Sequence, residues 1–184
     1  MFKYVKSILM ALVVSVVMIG CGGSEPTPSS EAAGAVAGMK NVYVSSKATY
    51  NGSIAQNIKT ECTIDSQVIH WLQAYAKKQN INIIIDGKPS AKDSVLKISI
   101  TDAISQRVGM GHNKYVVISG KLYEGKKLKA SFKAARRSGG GYFAAYRNSC
   151  SVLGSCAKTL GRDTASWLKN PTDGAKLGDV YLIH

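Results

Sequence analysis

The amino-acid sequence predicts an α+β domain, with a single mixed or antiparallel sheet of about five strands covered by two helices. Two long segments carry apolar residues at the three- and four-residue spacing of an amphipathic helix. Several short runs are β-branched or alternate between apolar and polar residues, as half-buried strands do. Helices and strands are interleaved along the chain in the order β-α-β-β-β-β-α, followed by a final short strand. Such an order favours one sheet with helices packed on it.

The first elements are a strand and a helix. Residues 42–44 begin the first strand, and residues 48–50 extend it. Thr63 offers a capping oxygen for a helix, and Asp65 suits the positive first turn. The helix is expected to run to about residue 79. Its apolar face is formed by Ile64, Val68, Trp71, Leu72 and Tyr75.

The middle of the chain is rich in strand signals. Residues 81–85 form a β-branched run that ends in the turn sequence 86–89, and residues 95–100 form an alternating strand. Residues 115–123 and 128–136 predict a hairpin, because residues 124–127 between them make a tight connection around Gly125.

The last long element is a helix over residues 149–169. One stripe of it holds Val152, Leu153, Cys156, Leu160, Thr164, Trp167 and Leu168. The dipeptide Asn170-Pro171 then stops the helix. Residues 180–183 predict a short final strand.

The charge of the chain is strongly positive. It carries 24 Lys and Arg against 11 Asp and Glu, for a formal net charge of +13. Such an excess predicts an anionic partner: lipid headgroups, lipopolysaccharide phosphates, cell-wall polymers or nucleic acid. The alternative is that the hairpin simply exposes its basic side chains to water. The candidate anion-binding surface comprises Lys126, Lys127, Lys129, Lys133, Arg136, Arg137, Tyr142 and Arg147.

Residues 136–147 have the most distinctive composition of that surface. Arginines flank a run of three glycines and three aromatic residues. This arrangement can bind an anionic or sugar ligand by charge and stacking. Its alternative role is to end a basic strand and anchor the following loop to the core.

The sequence predicts no catalytic residues, no metal site and no cofactor. The histidines His70, His112 and His184 lack metal-ligand spacing, and neither glycine-rich segment has the phosphate-loop pattern. No Gly-x-Ser-x-Gly nucleophile elbow is present. Asp102 has no acidic partner nearby in sequence, so a noncatalytic protein is expected.

The N-terminal segment predicts where in the cell the protein is located. Lys3 and Lys6 precede an apolar run from residue 8 to 19, which is shorter than the roughly 20 residues that a membrane span needs. Gly20 and Cys21 follow, and the chain then turns polar. This arrangement resembles the signal peptide and lipobox of bacterial lipoproteins. The resemblance implies cleavage before Cys21, acylation of its thiol and attachment to a lipid bilayer in the cell envelope. Gly22 in place of an aspartate implies the outer membrane.

The domain organisation follows from that processing. Residues 1–20 are the predicted signal peptide, and residues 21–40 are the lipidated cysteine and a flexible tether rich in Gly, Ser, Ala and Pro. Residues 41–184 are the predicted α+β domain. The order of elements also resembles small periplasmic domains that serve as accessory subunits of envelope machines. An accessory or binding role with an envelope protein complex or anionic polymer is therefore expected, and capture of nucleic acid is the alternative.

Three cysteines remain once Cys21 is acylated. A continuous helix over 149–169 separates Cys150 and Cys156 by about 9 Å along its axis, which is too far for a disulfide. Cys62 and Cys150 both lie at predicted helix starts, so a Cys62–Cys150 disulfide with a buried, free Cys156 is preferred. A Cys150–Cys156 disulfide is the alternative if the helix begins later. An exported location favours a disulfide over metal binding.

Overall fold

The structure, a computed structural model, describes residues 40–108, 111–138 and 148–183, without the side chains of residues 107–113. The first half contains β1 (Lys40–Val44), β2 (Thr49–Tyr50), α1 (Gln56–Glu61), α2 (Ile64–Lys77) and β3 (Ile81–Ile85). The second half contains β4 (Ser94–Val108), β5 (Gly111–Glu124), β6 (Lys127–Arg137), α3 (Ser149–Lys169), β7 (Ala175–Gly178) and a short 3-10 helix, Val180–Leu182.

The strands form one mixed sheet in the order β3-β1-β4-β5-β6-β7, and β2 pairs with β4 farther along the same edge as β1. The central β4, β5 and β6 are antiparallel neighbours, whereas β1 is parallel to both β3 and β4, and β7 is parallel to β6. The predicted α+β class is confirmed. The sheet has seven strands rather than about five, and the short α1 adds a third α-helix in the described chain.

Both long helices pack on the same face of the sheet. Alternate strand residues such as Ile98, Ile118 and Phe132 point into the layer between sheet and helices and are at most 5 % exposed. This is the arrangement expected of strands whose side chains alternate between two faces. The opposite face, called the open face below, has no long helix on it.

Small residues allow the helices to approach one another closely. A Cβ atom on Gly161 of α3 would lie 2.7 Å from the backbone nitrogen of Leu72 in α2. In the sheet, the Phe132 ring covers Gly120, where an added Cβ would lie 2.1 Å from a ring carbon. The same ring contacts that of Trp167, with centroids 4.7 Å apart. These contacts fix α2 and α3 on the sheet.

The helix predicted over 149–169 is confirmed as α3, and all seven residues of its predicted apolar stripe are buried. The cap predicted at Thr63 is wrong. Thr63 adopts a left-handed backbone conformation (φ 45°) and its side chain caps no backbone N–H. The chain passes from α1 to α2 within two residues, Cys62 and Thr63, so Thr63 redirects the backbone and lacks the extended conformation that is typical of a capping residue. The side-chain amide of Gln67 donates to the carbonyl oxygen of Cys62 at 2.9 Å.

The final strand predicted at 180–183 is also wrong. The last strand is Ala175–Gly178, and Gly178 ends it with a positive φ of 76°. The Asp179 amide then donates to the carbonyl of Ala135 at 2.8 Å, and the chain continues as the 3-10 helix. Ile183 packs against Val117 and Ala135 on the open face and covers that part of it.

Candidate functional site

The open face of the sheet carries a group of exposed lysines. Lys97 on β4 lies directly opposite Lys121 on β5, and Lys133 on β6 lies directly opposite Lys176 on β7. All four side chains are exposed. They alternate with core residues on their strands, so they share one side of the sheet. We call Lys97, Lys121, Lys133 and Lys176 the open-face lysines.

The pairing of these lysines is electrostatically unfavourable. Like charges directly opposite one another on neighbouring strands destabilise a sheet. Within the described residues, Lys97, Lys121 and Lys176 form no salt bridge. Lys97 is positioned over the ring of Tyr123, with its Nζ atom 5.2 Å from the ring centroid. The open face therefore presents positive charge and aromatic surface together, which suits an anionic partner.

The residues of the surface predicted from the sequence lie at several separate places in the structure. Lys126 and Lys127 lie at the β5–β6 turn, and Lys129 forms a 3.2 Å salt bridge with Glu124 beside it. Lys133 lies on the open face. Arg137 ends β6, about 33 Å from Lys127 at 3.3 Å per residue. Tyr142 and Arg147 lie outside the described residues.

The guanidinium group of Arg136 is bound by acidic residues of the domain. Its Nε donates to Asp163 of α3 at 2.6 Å, and its Nη1 lies 3.8 Å from a carboxylate oxygen of Asp179. The hydrogen bond to Asp163 is the main cause that raises the pKa of Arg136 above its ordinary value, and the charges of both aspartates add to it. Arg136 thus ties β6 to α3 and to the C-terminal segment.

The disulfide expected from the sequence is present between Cys62 and Cys150, with Cα atoms 4.7 Å apart. It joins the end of α1 to the first turn of α3 across 88 residues of sequence. Cys156 is free and buried. Burial raises the pKa of its thiol to about 11, so the thiol stays protonated near neutral pH and is a poor nucleophile.

A cleft of about 670 Å³ adjoins the disulfide. Its lining includes Asn57, Glu61, Asp102 and Asn148. The carboxylate of Asp102 accepts a 2.9 Å hydrogen bond from the Tyr115 hydroxyl. Burial is the first cause that raises the pKa of Tyr115 to about 12, and this hydrogen bond is the second. Asp102 is therefore held by a neutral donor at the rim of the cleft.

The described chain holds no group of three or more His, Cys, Asp and Glu side chains placed to bind a metal ion. None of its helices is both long and apolar enough to span a bilayer.

Lys97, Lys121 and Lys176 are not part of the surface predicted from the sequence. The first two could have been found from strand alternation, because each is flanked by core residues on its own strand. Lys176 could not, because β7 was not predicted. Its position opposite Lys133 depends on the return of the chain after α3.

No protein-family model matches the sequence, and no curated protein matches it. Solved structures are similar at low identity. Protein XCC0632 from Xanthomonas campestris, assigned to DUF330, is 13 % identical with a TM-score of 0.51, over 71 % of this chain and 83 % of that chain. Hypothetical protein CT253 from Chlamydia trachomatis is 8 % identical with a TM-score of 0.51, over 72 % and 97 %.

The similar structures also include lipoprotein GNA1162 from Neisseria meningitidis, at 12 % identity over 68 % of this chain and 98 % of that chain. Its TM-score of 0.41 is too low to support an argument. At these identities the similarities show the fold alone. The chain thus has a fold that is found among solved bacterial proteins of little sequence similarity.

Proposed function

We propose that this protein is a lipid-anchored envelope lipoprotein and that its domain is a noncatalytic binding module for an acidic partner. The partner is an envelope protein complex or an anionic envelope polymer. The single observation that carries the proposal is the pairing of Lys97 with Lys121 on the open face. An acidic partner would relieve the repulsion within this pair, so binding and local stability would both gain.

The anchoring part of the proposal rests on the sequence around Cys21. Acylation at Cys21 would hold the domain at a membrane without a spanning segment, because two or more acyl chains together make attachment stable. A Cys62–Cys150 disulfide suits the same exported compartment. We propose the outer membrane as the location, on the basis of Gly22.

The anchor is tested by mass spectrometry of the mature protein from its native membrane. The expected N-terminal peptide begins at Cys21 and carries the mass of the attached acyl groups. An unmodified Cys21, or cleavage at another bond, would overturn the anchoring proposal without bearing on the open face.

The binding role is tested by crosslinking the acylated protein in its native envelope. In the open-face variant, Lys97→Gln/Lys121→Gln/Lys176→Gln, we expect recovery of the crosslinked partner to fall at least about tenfold, because complementary charge across an interface speeds association and favours the correct partner. The matched control, Lys126→Gln/Lys127→Gln/Lys169→Gln, removes the same charge elsewhere and should retain the partner. Equal recovery with both variants would contradict the proposal.

Nucleic acid is distinguished from the proposed partners by salt. A protein that binds DNA through its charge alone loses affinity steeply as salt rises, by about 0.9 in log–log slope for each phosphate neutralised. Tight DNA binding that is lost in the open-face variant, without a crosslinked envelope partner, would replace the proposal with nucleic-acid capture.

A further inference from the structure

A second basic surface lies at one end of the sheet, where β1 begins. The seven lysines of this end are all exposed: Lys40, Lys77, Lys78, Lys92, Lys126, Lys127 and Lys169. They come from five separate parts of the chain. We call them the Lys40-end cluster.

The topology brings these residues together. The amide of Lys40 donates to the carbonyl of Asn80, which follows α2, so Lys77 and Lys78 lie beside the start of β1. The amide of Gly125 in the β5–β6 turn donates to the carbonyl of Asp93, which places the turn next to the loop that carries Lys92.

The end of α3 reaches the same region. The side-chain amide of Gln79, just beyond α2, donates to the hydroxyl of Ser166 at 3.3 Å. Lys169 follows Ser166 by less than one turn, because a helical turn takes about 3.6 residues. Both long helices therefore end where β1 begins.

The positive charge of this end exceeds the negative charge of the acids beside the β5–β6 turn. Glu124 forms a salt bridge with Lys129. Asp93 keeps its negative charge, because the Ser90 amide that donates to it at 2.6 Å is neutral, but one such charge offsets only one lysine. None of the seven lysines takes part in a salt bridge within the part of the chain that the structure describes.

Helix dipoles account for only part of the cluster. Lys77 and Lys169 lie in the last turns of α2 and α3, where a cation interacts favourably with the helix terminus. Lys40, Lys92, Lys126 and Lys127 lie on strands and turns, so that interaction does not explain their presence.

An apolar side chain accompanies these charges. Leu128 follows Lys126 and Lys127 at the turn and is 44 % exposed, one of three large hydrophobic residues with substantial exposure among those described. A basic turn that carries an exposed leucine is suited to the headgroup region of a bilayer, where the lysines contact phosphates and the leucine contacts the acyl boundary.

The chain enters the domain at this same end. Lys40 begins β1, and Cys21 precedes it by 19 residues. A tether of 19 residues with the flexible composition that the sequence predicts would have a root-mean-square span of about 24 Å, so the end that carries the cluster would stay close to the anchored cysteine. We propose that the Lys40-end cluster docks on a bilayer surface that bears anionic headgroups and holds the domain in one orientation. This inference rests on the proposed lipid anchor.

Docking in this way leaves the open face accessible. The strands then stand away from the membrane, with the disulfide farthest from it. The open-face lysines lie along the side of the upright sheet and remain accessible to a partner in the envelope. The two basic surfaces thus have separate ligands, lipid for one and the acidic partner for the other.

The test uses the mature chain, residues 21–184, with Cys21→Ser so that acyl chains make no contribution. Binding is measured by co-sedimentation with phosphatidylcholine vesicles that contain phosphatidylglycerol, and with vesicles of phosphatidylcholine alone. The cluster variant is Lys126→Gln/Lys127→Gln/Lys169→Gln, and the matched control is the open-face variant Lys97→Gln/Lys121→Gln/Lys176→Gln. Denaturant unfolding confirms that each variant is folded.

We expect binding only to the anionic vesicles. Each lysine near a charged surface contributes about fivefold in affinity, so the cluster variant should lose about a hundredfold and the control much less. An equal loss in both variants would show that net charge alone attracts the protein and would overturn the oriented docking. Absence of binding by the unsubstituted chain, or equal binding to neutral vesicles, would also overturn it.

Failure of this inference is distinguishable from failure of the proposed function. The vesicle assay reports on the Lys40-end cluster, whereas the envelope crosslink reports on the open face. Loss of the crosslinked partner in the open-face variant, with no vesicle binding by any chain, would leave the binding role intact and remove only the docking.

Discussion

At the disulfide end of the sheet, Arg136 lies between Asp163 and Asp179, and Asp102 is bonded to Tyr115. At the Lys40 end, seven lysines form no salt bridge within the described chain, and the exposed Lys129–Glu124 bridge lies beside them. Charges at the first end hold secondary-structure elements together. The seven lysines at the second end are exposed and have no salt-bridge partner among the described residues. Position thus separates a structural group of basic residues, bound by acids, from an exposed group for which we propose a ligand.

The largest effect is expected from removing the disulfide. The Cys62→Ala/Cys150→Ala variant should lose about 4 kcal/mol of unfolding free energy, because the crosslink closes a long loop and restricts the unfolded chain. Urea unfolding of the Cys21→Ser chain measures this loss. Dithiothreitol should lower the stability of the unsubstituted protein and leave the variant unchanged. Equal stability of the two proteins without reductant would contradict the structural role of this end.

Two salt bridges, Arg136–Asp163 and Lys129–Glu124, allow the two ends to be compared directly. Arg136→Gln should cost about 2 kcal/mol, because it leaves the Asp163 carboxylate, whose side chain is only 14 % exposed, without its charged partner. Lys129→Gln should cost less than about 0.5 kcal/mol, because both side chains of its bridge are exposed. Denaturant unfolding measures both. Similar costs for the two substitutions would remove the distinction between the ends.

A smaller effect should depend on pH. Tyr115→Phe removes the hydrogen bond to Asp102 and should cost about 1 kcal/mol near neutral pH. The pKa of Tyr115 is raised from 10.0 to about 12 in the folded state. Its neutral form therefore contributes fully below about pH 10, and this contribution is lost as the pH rises toward 12.

The stability difference between the unsubstituted protein and Tyr115→Phe should consequently shrink over that interval. Unfolding experiments after rapid pH jumps measure it. Because burial also raises the pKa of Tyr50 to about 12, Tyr115 is identified by the late-titrating absorbance that the Tyr115→Phe variant lacks. A difference that stays constant from pH 9 to 12 would contradict the assigned hydrogen bond.

The smallest effect is expected at the Lys40 end. The variant Lys126→Gln/Lys127→Gln/Lys169→Gln should change the unfolding free energy by no more than about 0.5 kcal/mol, because exposed side chains without partners contribute little. Low salt should shift the change toward stabilisation, since repulsion among the lysines is then least screened. A loss above about 1 kcal/mol would place these lysines with the structural group.

Local patterns predicted much of the fold. The apolar spacing from Val152 to Leu168 was sufficient to delimit α3, because a helix depends on contacts three and four residues apart. The turn at Gly125 predicted the β5–β6 hairpin for a similar reason. The final strand was missed because β7 is only four residues long and is specified by pairing with β6, to which α3 returns the chain.

The candidate binding surface was less predictable. The charge excess indicated an anionic partner. The sequence could not show that Arg136, unlike the other basic residues of the predicted surface, is bound by two aspartates of the domain. Its aspartates lie 27 and 43 positions away, and such distances leave no local pattern. The open-face pairs required strand register, which places Lys97 opposite Lys121.

The amino-acid sequence alone was sufficient to predict the class of the fold, the extent of α3, the hairpin, the preferred cysteine pair and the expected lipidation at Cys21. Each of these predictions rests on local spacing or short motifs, and the cysteine pair was inferred from the position of both cysteines at predicted helix starts. The acidic partners of the basic residues, and the surfaces that these residues share, depend on tertiary packing instead. The seven lysines of the Lys40 end come from five parts of the chain. They meet because α2, α3, β1 and the β5–β6 turn all end or begin at one end of the sheet, and such long-range packing has no local signature.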